Sequence, residues 1–221
     1  MTAETRARVD RDVRREAILD AAREVFMEVG FAAASMSMIA ARVGGSKGTL
    51  YNYFKSKEEL FEAYIRSHCA WQHEAIMADF LTPGEEIRTV LHKLGRNLLT
   101  VGLSEIGLRN LILVVSEAHR APEIGRTFYE AGPGSGAKRA AEGIAQAIAD
   151  GRLRPSDPLK AAHQFVGLCQ NRMLKACLCN AMERPSAEEI EEEVTAAVET
   201  FMAAFGPVEE HVRETPVAAK G

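Results

Sequence analysis

Side chains suited to contacting DNA are concentrated between residues 46 and 57. They are Lys47, Thr49, Tyr51, Asn52, Tyr53 and Lys57. Lysine can donate to guanine O6 and N7, asparagine can form two hydrogen bonds with adenine, and hydroxyl groups are good partners for phosphate oxygens. Such side chains can bind duplex DNA and recognise its sequence, provided that rigid elements present them together.

The residues around this run have the pattern of a helix-turn-helix. Gly44 and Gly45 separate two short apolar-periodic segments, and Ser46 is placed to accept hydrogen bonds from the free N–H groups of the second helix. The apolar positions are Met36, Ile39, Ala40 and Val43, then Leu50 and Phe54. Lys47, Gly48 and Thr49 would then project into a major groove, with the later side chains following on the exposed side.

The rest of the chain predicts an all-α fold of about nine helices, because helix start and stop signals recur and no lasting period-two alternation occurs. We expect the first helix over about Asp12 to Val29, ending at Gly30. A capping box of Ser56 and Glu59 begins the fourth helix, which runs towards Phe80. The fifth begins near Thr82 and Pro83.

Four further helices complete the chain. The sixth, from about Ser104, is expected to bury Leu108, Leu111, Ile112 and Val115. The seventh begins at Pro122, and Gly132 to Gly136 must kink or break it. The eighth runs from Asp157 to about Asn180 and the ninth from Ser186 to Gly206. These last two are expected to form a four-helix interface with a second copy of the chain.

Composition and charge indicate an ordinary soluble protein with a mildly basic N-terminal part. Hydrophobic residues make up 47% and charged residues 26% of the 221 residues. Residues 1–58 hold ten Lys and Arg against eight Asp and Glu, whereas the remainder holds 17 against 23, which gives the net charge of −4. DNA would therefore be approached through the N-terminal part. No signal peptide or membrane-length run is found, so we expect a cytoplasmic protein without a membrane partner.

Cofactor motifs are missing from the sequence. No spacing of His, Cys, Asp or Glu matches a metal site, and residues 132–136 lack the Gly-Lys-Ser/Thr of a phosphate loop. The four cysteines are interpreted as buried small apolar residues. We expect no cofactor and no enzymatic activity, because no nucleophile, base and orienting group can be assembled.

Residues 14–61 resemble the tetracycline-repressor (TetR) family of bacterial transcriptional regulators. The resemblance rests on Gly30-Phe31, Ser35-Met36, Ile39-Ala40, Gly44, Ser46 to Tyr51, Tyr53-Phe54 and Ser56 to Leu60. Segments between Ser116 and Arg154 resemble the AefR-type C-terminal domain of this family. We therefore expect the chain to have four parts. They are a flexible arm at 1–11, a helix-turn-helix DNA-binding domain at 12–56, a ligand-binding and dimerisation domain at 57–206, and a disordered tail at 207–221.

The resemblance implies a role for each residue of the expected DNA site. Thr49, Tyr51, Tyr53 and Lys57 correspond to phosphate-contacting positions, and Lys47, Gly48 and Asn52 to positions facing base edges. Ser35, Ser46 and Arg14 complete the set. Among the N-terminal arginines, which are diluted by acidic residues, a phosphate contact is favoured for Arg14 and Arg15, and a frayed terminus for Arg6 and Arg8. A solvated polar face is the alternative for Lys47, Asn52 and Lys57.

Gly45 departs from the family pattern, which usually has a small apolar residue, often valine, at this position. The lost burial would cost about 1–2 kcal/mol, so a looser turn is expected. On this argument Gly45→Val should raise the melting temperature.

The resemblance also implies a cavity for a small hydrophobic or aromatic effector. His68, Trp71, His119, Phe128 and Phe165 lie on the segments that would enclose it, although residues of these types are more often plain core.

The sequence thus predicts a homodimeric repressor that binds a palindromic double-stranded operator and is released by a small organic molecule. The alternatives are an activator or multi-site DNA-binding protein without an effector, and an enzyme on a helical scaffold, which the missing catalytic groups disfavour.

Overall fold

A computed structural model describes residues 3–78 and 84–207 of the chain, and these residues form eleven helices. The helices are α1 (Ala3–Ala33), α2 (Met36–Arg42), α3 (Lys47–Tyr51), α4 (Lys57–Met77), α5 (Ile87–Gly102), α6 (Glu105–Ala118), α7 (Pro122–Ala131), α8 (Pro133–Ala149), α9 (Pro158–Gln170), α10 (Met173–Leu178) and α11 (Ala187–Phe205). The expected Phe80, Thr82 and Pro83 signals, and the expected tail from residue 208 onwards, lie outside the described residues.

Two helix breaks account for the difference between nine expected and eleven observed helices. Gly132 has φ −104° and ψ −101°, and Pro133 begins α8, so the glycine-rich segment breaks the helix rather than kinking it. Proline is favoured here because the first turn does not need its N–H. The helix expected from Asp157 to Asn180 is also divided, between Gln170 and Met173. Neither glycine nor proline marks that second break in the sequence.

The N-terminal residues differ from the expected flexible arm. Helix α1 begins at Ala3, so residues 3–11 are helical and extend the helix predicted to start at Asp12. Gly30 ends the regular part as predicted, with φ 75°, a value that glycine adopts without strain. The chain then returns Phe31 to the core, where it is buried against Phe26 and Phe61.

Two apolar cores hold the helices together. The head core joins α1–α4 to α6 and α7, and it includes Ile18, Phe26, Ile39, Leu50, Phe54, Phe61, Leu113, Val114 and Ile124. The body core joins α5, α8, α9 and α11, and it includes Leu91, Leu94, Ile144, Phe165, Val194 and Phe201. Helix α4 takes part in both, because Phe61 and Tyr64 lie in the head core while Ile76 and Met77 pack against the body core.

Helix α6 buries a face that only partly overlaps the expected one, since Leu108 and Leu111 are half-buried. Leu113 and Val114 are buried, whereas Ile112 and Val115 are 50% and 56% exposed. The expectation failed because α6 carries apolar residues on two faces, and the buried face includes the polar side chain of Asn110. Counting apolar positions could not show which face was chosen.

Helix α11 follows its predicted pattern. Both hydrogen bonds of the Ser186–Glu189 capping box are present, and the predicted stripe is buried from Ile190 to Met202. At α4 only half of the predicted box forms: Ser56 Oγ accepts from the Glu59 N–H, but the Glu59 carboxylate accepts from Lys55 N–H instead.

No single described helix is long and apolar enough to cross a membrane; α5 and α6, bent by 69° at their junction, pass that test only as a pair.

Candidate nucleic-acid interface and ligand cavity

The turn and the second helix of the helix-turn-helix are fixed by Ser46. Its Oγ accepts a hydrogen bond from the Thr49 N–H at 3.0 Å and shares another with Thr49 Oγ1 at 2.8 Å. Gly44, with φ 67°, makes the left-handed turn that precedes this cap. The predicted N-cap is therefore confirmed, and it sets the first residue of α3 at Lys47.

Helix α3 presents an exposed surface made of Lys47, Gly48, Tyr51 and Asn52. The Lys47 ammonium lies 5.9 Å from the centre of the Tyr51 ring, so these two side chains occupy the same face. Leu50, on the opposite face, is 1% exposed and anchors the helix in the head core. A short helix is thus held by one buried leucine and one cap, with its polar residues outward.

Ser35 and Tyr53 are less available than the residues of α3. The Ser35 hydroxyl caps α2 by accepting the Met38 N–H at 3.3 Å, and Tyr53 is half-buried against the head core. Both still lie at the edge of the helix-turn-helix.

Lys57 does not extend outward as expected. Its ammonium donates to the carbonyl oxygens of Phe31 (2.7 Å), Ala34 (3.0 Å) and Ala32 (3.3 Å), and it lies 4.4 Å from the centre of the Phe31 ring. An ammonium has three N–H donors, so these carbonyls use all of them. Lys57 ties the end of α1 to the beginning of α4, and the geometry leaves no donor for a phosphate.

The Arg14 guanidinium lies against the turn at Gly45. A Cβ atom at residue 45 would come within 2.8 Å of Arg14 Nη2 and 3.4 Å of Val43 Cγ1. Arg14 thus occupies the space that a larger side chain at residue 45 would enter, which removes the basis for expecting a valine there to anchor the turn. Within the described part of the chain, this guanidinium has no hydrogen-bond or ion-pair partner, so its charge is free to meet a phosphate.

Two other arginines of the head are already paired. Arg42 donates to Glu24 at 2.9 Å and to Glu28 at 2.5 Å, and the hydrogen bond to Glu28, followed by that to Glu24, raises the pKa of Arg42. Arg15 lies 5.5 Å from the centre of the Phe54 ring and pairs with Glu16. Within the described part of the chain, Lys47 and Arg14 remain without an acidic partner beside the helix-turn-helix.

A cavity of about 320 Å³ lies between the head core and the body core. Residues of both cores line it, since Cys69 and Phe128 belong to the first and Leu94 and Ala140 to the second. Its polar lining consists of Gln72, His73, Tyr129, His163 and Gln170, and among the residues that the structure describes the lining holds no Asp, Glu, Lys or Arg.

Of the five residues expected at a ligand, Phe128 alone is in the lining of this cavity. Phe165 is buried edge-on against Phe201 in the body core, at 5.4 Å between ring centres. His119 is exposed at the end of α6, and Trp71 is 54% exposed. Gln72 and His73, the two residues after Trp71, were not predicted. They share a face of α4 with Cys69 and Ile76, and this three- to four-residue spacing could have indicated them.

His68 belongs to a buried polar group that joins α4 to α6, which we term the α4–α6 clasp. Tyr64 donates its hydroxyl to Asn110 Oδ1, and Asn110 Nδ2 lies 2.9 Å from His68 Nε2. Burial, with a smaller contribution from Arg23, lowers the pKa of His68 to about 4, and burial raises the pKa of Tyr64 to about 12. Both side chains therefore remain uncharged around neutral pH. Trp71 stacks on the outer side of His68, at 6.0 Å between ring centres.

Comparison with known proteins assigns the family. The family model of tetR-type bacterial regulatory proteins matches residues 18–64, and that of the AefR-like transcriptional repressor C-terminal domain matches residues 89–207. The chain belongs to the TetR family. Members of this family are transcriptional regulators and not enzymes, in agreement with the expectation from the sequence.

Individual TetR-family proteins are similar over different extents. The regulator UidR of Escherichia coli is 36% identical over 111 residues, which cover 50% of this chain and 54% of UidR, so the match spans about half the length of that relative. A TetR-family structure from Mesorhizobium loti has a TM-score of 0.83 at 27% identity and covers 93% of this chain and 100% of that one. The flavonoid-responsive regulator FrrA has a TM-score of 0.76 at 29% identity, with 90% and 100% covered.

Proposed function

We propose that this TetR-family regulator is a homodimeric repressor that binds a palindromic DNA operator and is released from it by a small organic molecule. The observation that carries the proposal is the course of α4. This one helix of 21 residues, about 30 Å long, begins at the head with Lys57 and ends along the cavity with Gln72, His73, Ile76 and Met77. Repression is favoured because residues 89–207 match the AefR-like repressor domain.

The exposed surface of α3 would read the operator. Lys47 and Asn52 would contact base edges, and Gly48 would let the helix approach the floor of the groove. Thr49 and Tyr51, together with Arg14 beside the turn, would contact phosphates. Tyr53, Ser35 and Ser46 would contribute from the edge of the motif, while Lys57 would act indirectly by fixing α1 against α4.

Dimerisation through α9 and α11 would place two heads for one operator. Both helices also have apolar side chains on their exposed faces. On α9 Leu159 is 41% exposed, and on α11 the small residues Ala196 and Ala203 are exposed. Small side chains let helices of two copies pack closely, and a two-fold axis would pair identical surfaces. The two copies of α3 would then have to lie about 34–36 Å apart to enter successive major grooves.

A ligand in the cavity would act on this spacing. The cavity contacts the second half of α4, so a molecule that fits better when α4 is tilted would move the head with it. A tenfold loss of operator affinity requires that the ligand prefer the non-binding arrangement by about 1.4 kcal/mol. The flavonoid response named for FrrA supports a small organic ligand for this architecture.

The function can be tested by selecting bound duplexes from a random-sequence pool with the full chain. We expect the selected sequences to share two related half-sites of opposite orientation, about 10 base pairs between centres. Sequences without such symmetry, or no enrichment, would contradict the proposed operator binding.

The matched variants are Lys47→Ala and Lys55→Ala, since both lysines are exposed but Lys55 lies beyond α3. With the selected duplex, Lys47→Ala should cost about 1–3 kcal/mol and relax the preference at one position of each half-site, whereas Lys55→Ala should leave that preference unchanged. Equal effects of the two variants would show that α3 is not the reading helix.

A further inference from the structure

The lining of the cavity indicates what kind of molecule it accepts. We propose that the effector is an uncharged, mainly apolar molecule at least about 10 Å long, with hydrogen-bonding groups at separate points along it. The inference rests on the proposed function, in which a small molecule occupies this cavity, and it adds the ligand's charge, length and polarity.

Charge is the most restrictive property. Among the described residues 3–78 and 84–207, none of the lining side chains is an aspartate, glutamate, lysine or arginine, and this wall is mostly aliphatic and aromatic. The Cys69 thiol adds no charge either, because burial raises its pKa to about 11. An ion placed here would lose its hydration without meeting an opposite charge, which is strongly unfavourable.

Hydrogen-bonding groups face the cavity from two helices. Gln72 and His73 lie on α4, and His163 and Gln170 lie on α9. None of these four side chains makes a hydrogen bond to any other residue that the structure describes. His163 and Gln170 are seven residues apart on α9, which separates them by about 10 Å along the helix. His163 is exposed and Gln170 is half-buried, so a ligand that contacts both needs polar groups about that far apart.

Small residues create the space between these polar groups. Gly102, Gly132, Gly136, Ala137 and Ala140 line the cavity, and a Cβ atom at Gly136 would have no heavy atom within 4 Å. A larger side chain at residue 136 can therefore extend into open space without displacing its surroundings. Because Gly136 lies in α8, such a change also removes a glycine from a helix, which favours folding.

Three probes with one skeleton test the charge requirement: biphenyl dimethanol, which is neutral, biphenyl dicarboxylate, and the corresponding bis(aminomethyl) biphenyl cation. Calorimetric titrations of the full chain at pH 8 measure the three affinities, and the emission of Trp71, the one tryptophan of the sequence, reports binding beside α4. We expect the neutral probe to bind at least 30-fold more tightly than either ion. Comparable or tighter binding of an ion, or no binding of the neutral probe, would overturn the proposal.

Two leucine substitutions on α8 test the location. Gly136→Leu should weaken binding of the neutral probe at least tenfold, whereas Ala145→Leu, on the exposed side of the same helix, should change it less than twofold. Circular dichroism checks that both variants keep their helices, and Gly136→Ala replaces Gly136→Leu if the larger side chain prevents folding. Unchanged binding by the folded position-136 variant would overturn the assignment to this cavity.

DNA binding, measured separately on the same preparations, distinguishes this inference from the proposed function. A chain that selects the neutral probe but does not bind DNA would refute the repressor and retain the ligand class. A chain that binds DNA but binds all three probes equally would refute the ligand class and retain the repressor.

Discussion

Lys57 stabilises the head from within, because three carbonyl oxygens and the Phe31 ring surround its ammonium group. Lys57→Met keeps the aliphatic stem but removes these hydrogen bonds. We expect the free energy of unfolding to fall by about 2 kcal/mol, measured by urea denaturation. The dependence of DNA affinity on salt should keep its slope, since no phosphate contact is lost.

Lys55→Met is the control for this prediction, since the Lys55 side chain is exposed and has no partner in the described part of the chain. Its unfolding free energy should change by less than about 0.5 kcal/mol. The opposite pattern for Lys57→Met, with normal stability and a salt slope reduced by about one unit, would identify Lys57 as a phosphate contact after all.

Gly45 is expected to matter through Arg14. Gly45→Ala would place a methyl group where the guanidinium lies, so Arg14 must move away from the turn. We expect a 5- to 10-fold loss of affinity for mixed-sequence duplex DNA at about 0.1 M salt, equivalent to one phosphate contact. Stability should stay equal or rise slightly, because alanine reduces the freedom of the unfolded chain.

A double-mutant cycle tests whether the two residues act together. In the Arg14→Ala background, Gly45→Ala should have no further effect on DNA affinity. Additive losses would show that Gly45 acts on the turn itself, as its departure from the family pattern first indicated.

Several of these residue roles could be predicted from the sequence and others could not. The Ser46 cap was predictable, because the capping rule depends on residues three positions apart. Lys57 and Gly45 were not, because their partners Phe31 and Arg14 are distant in sequence and meet them only after α1 has packed on the helix-turn-helix.

At the scale of elements, the α4–α6 clasp links stability to pH. The His68 pKa of about 4 lies below the usual value of 6.5, so the unfolded chain binds a proton at this histidine before the folded one does. The contribution of His68 is fully present above pH 6.5 and is lost as pH falls towards 4. We expect a loss of about 2–3 kcal/mol over this range, measured by urea denaturation at several pH values.

His68→Gln provides the comparison, because glutamine keeps a polar side chain but does not titrate. Carboxylates with a lowered pKa, such as Asp150 and Glu189, make the stability of both proteins depend on pH. The difference between the two stability curves therefore isolates the contribution of His68. Parallel curves from pH 7.5 to 4.5 would show that His68 is not buried as a neutral side chain.

Helix existence was predictable, but helix orientation was less so. The stripe of α11 identified its buried face because its opposite face is acidic or small. Helix α6 has apolar residues on both faces, and the buried side is the one that carries Asn110, whose partners lie on α4. The break between α9 and α10 carries no local signal, so it too arises from packing.

At the scale of the whole molecule, α4 would connect DNA recognition by the head to ligand binding in the cavity. Its first half is buried among aromatic residues of the head core, and its last turns border the cavity. The all-α fold class was predictable, because helix start and stop signals recur along the sequence and no lasting period-two alternation occurs. The cavity was not predictable, because its wall is assembled from α4–α10 and includes glycines whose contribution is the absence of a side chain.

Because α6 and α7 contribute to the head core, the DNA-binding domain cannot simply be exchanged between regulators. Leu113, Val114 and Ile124, which lie far along the chain, complete the same apolar cluster as Ile18, Phe26 and Phe61. A transplant cut at residue 56 would leave this cluster open on one side. Recombination that changes operator preference while preserving ligand response would therefore have to replace the outward residues of α3 in place, leaving the rest of the head with its own α6 and α7.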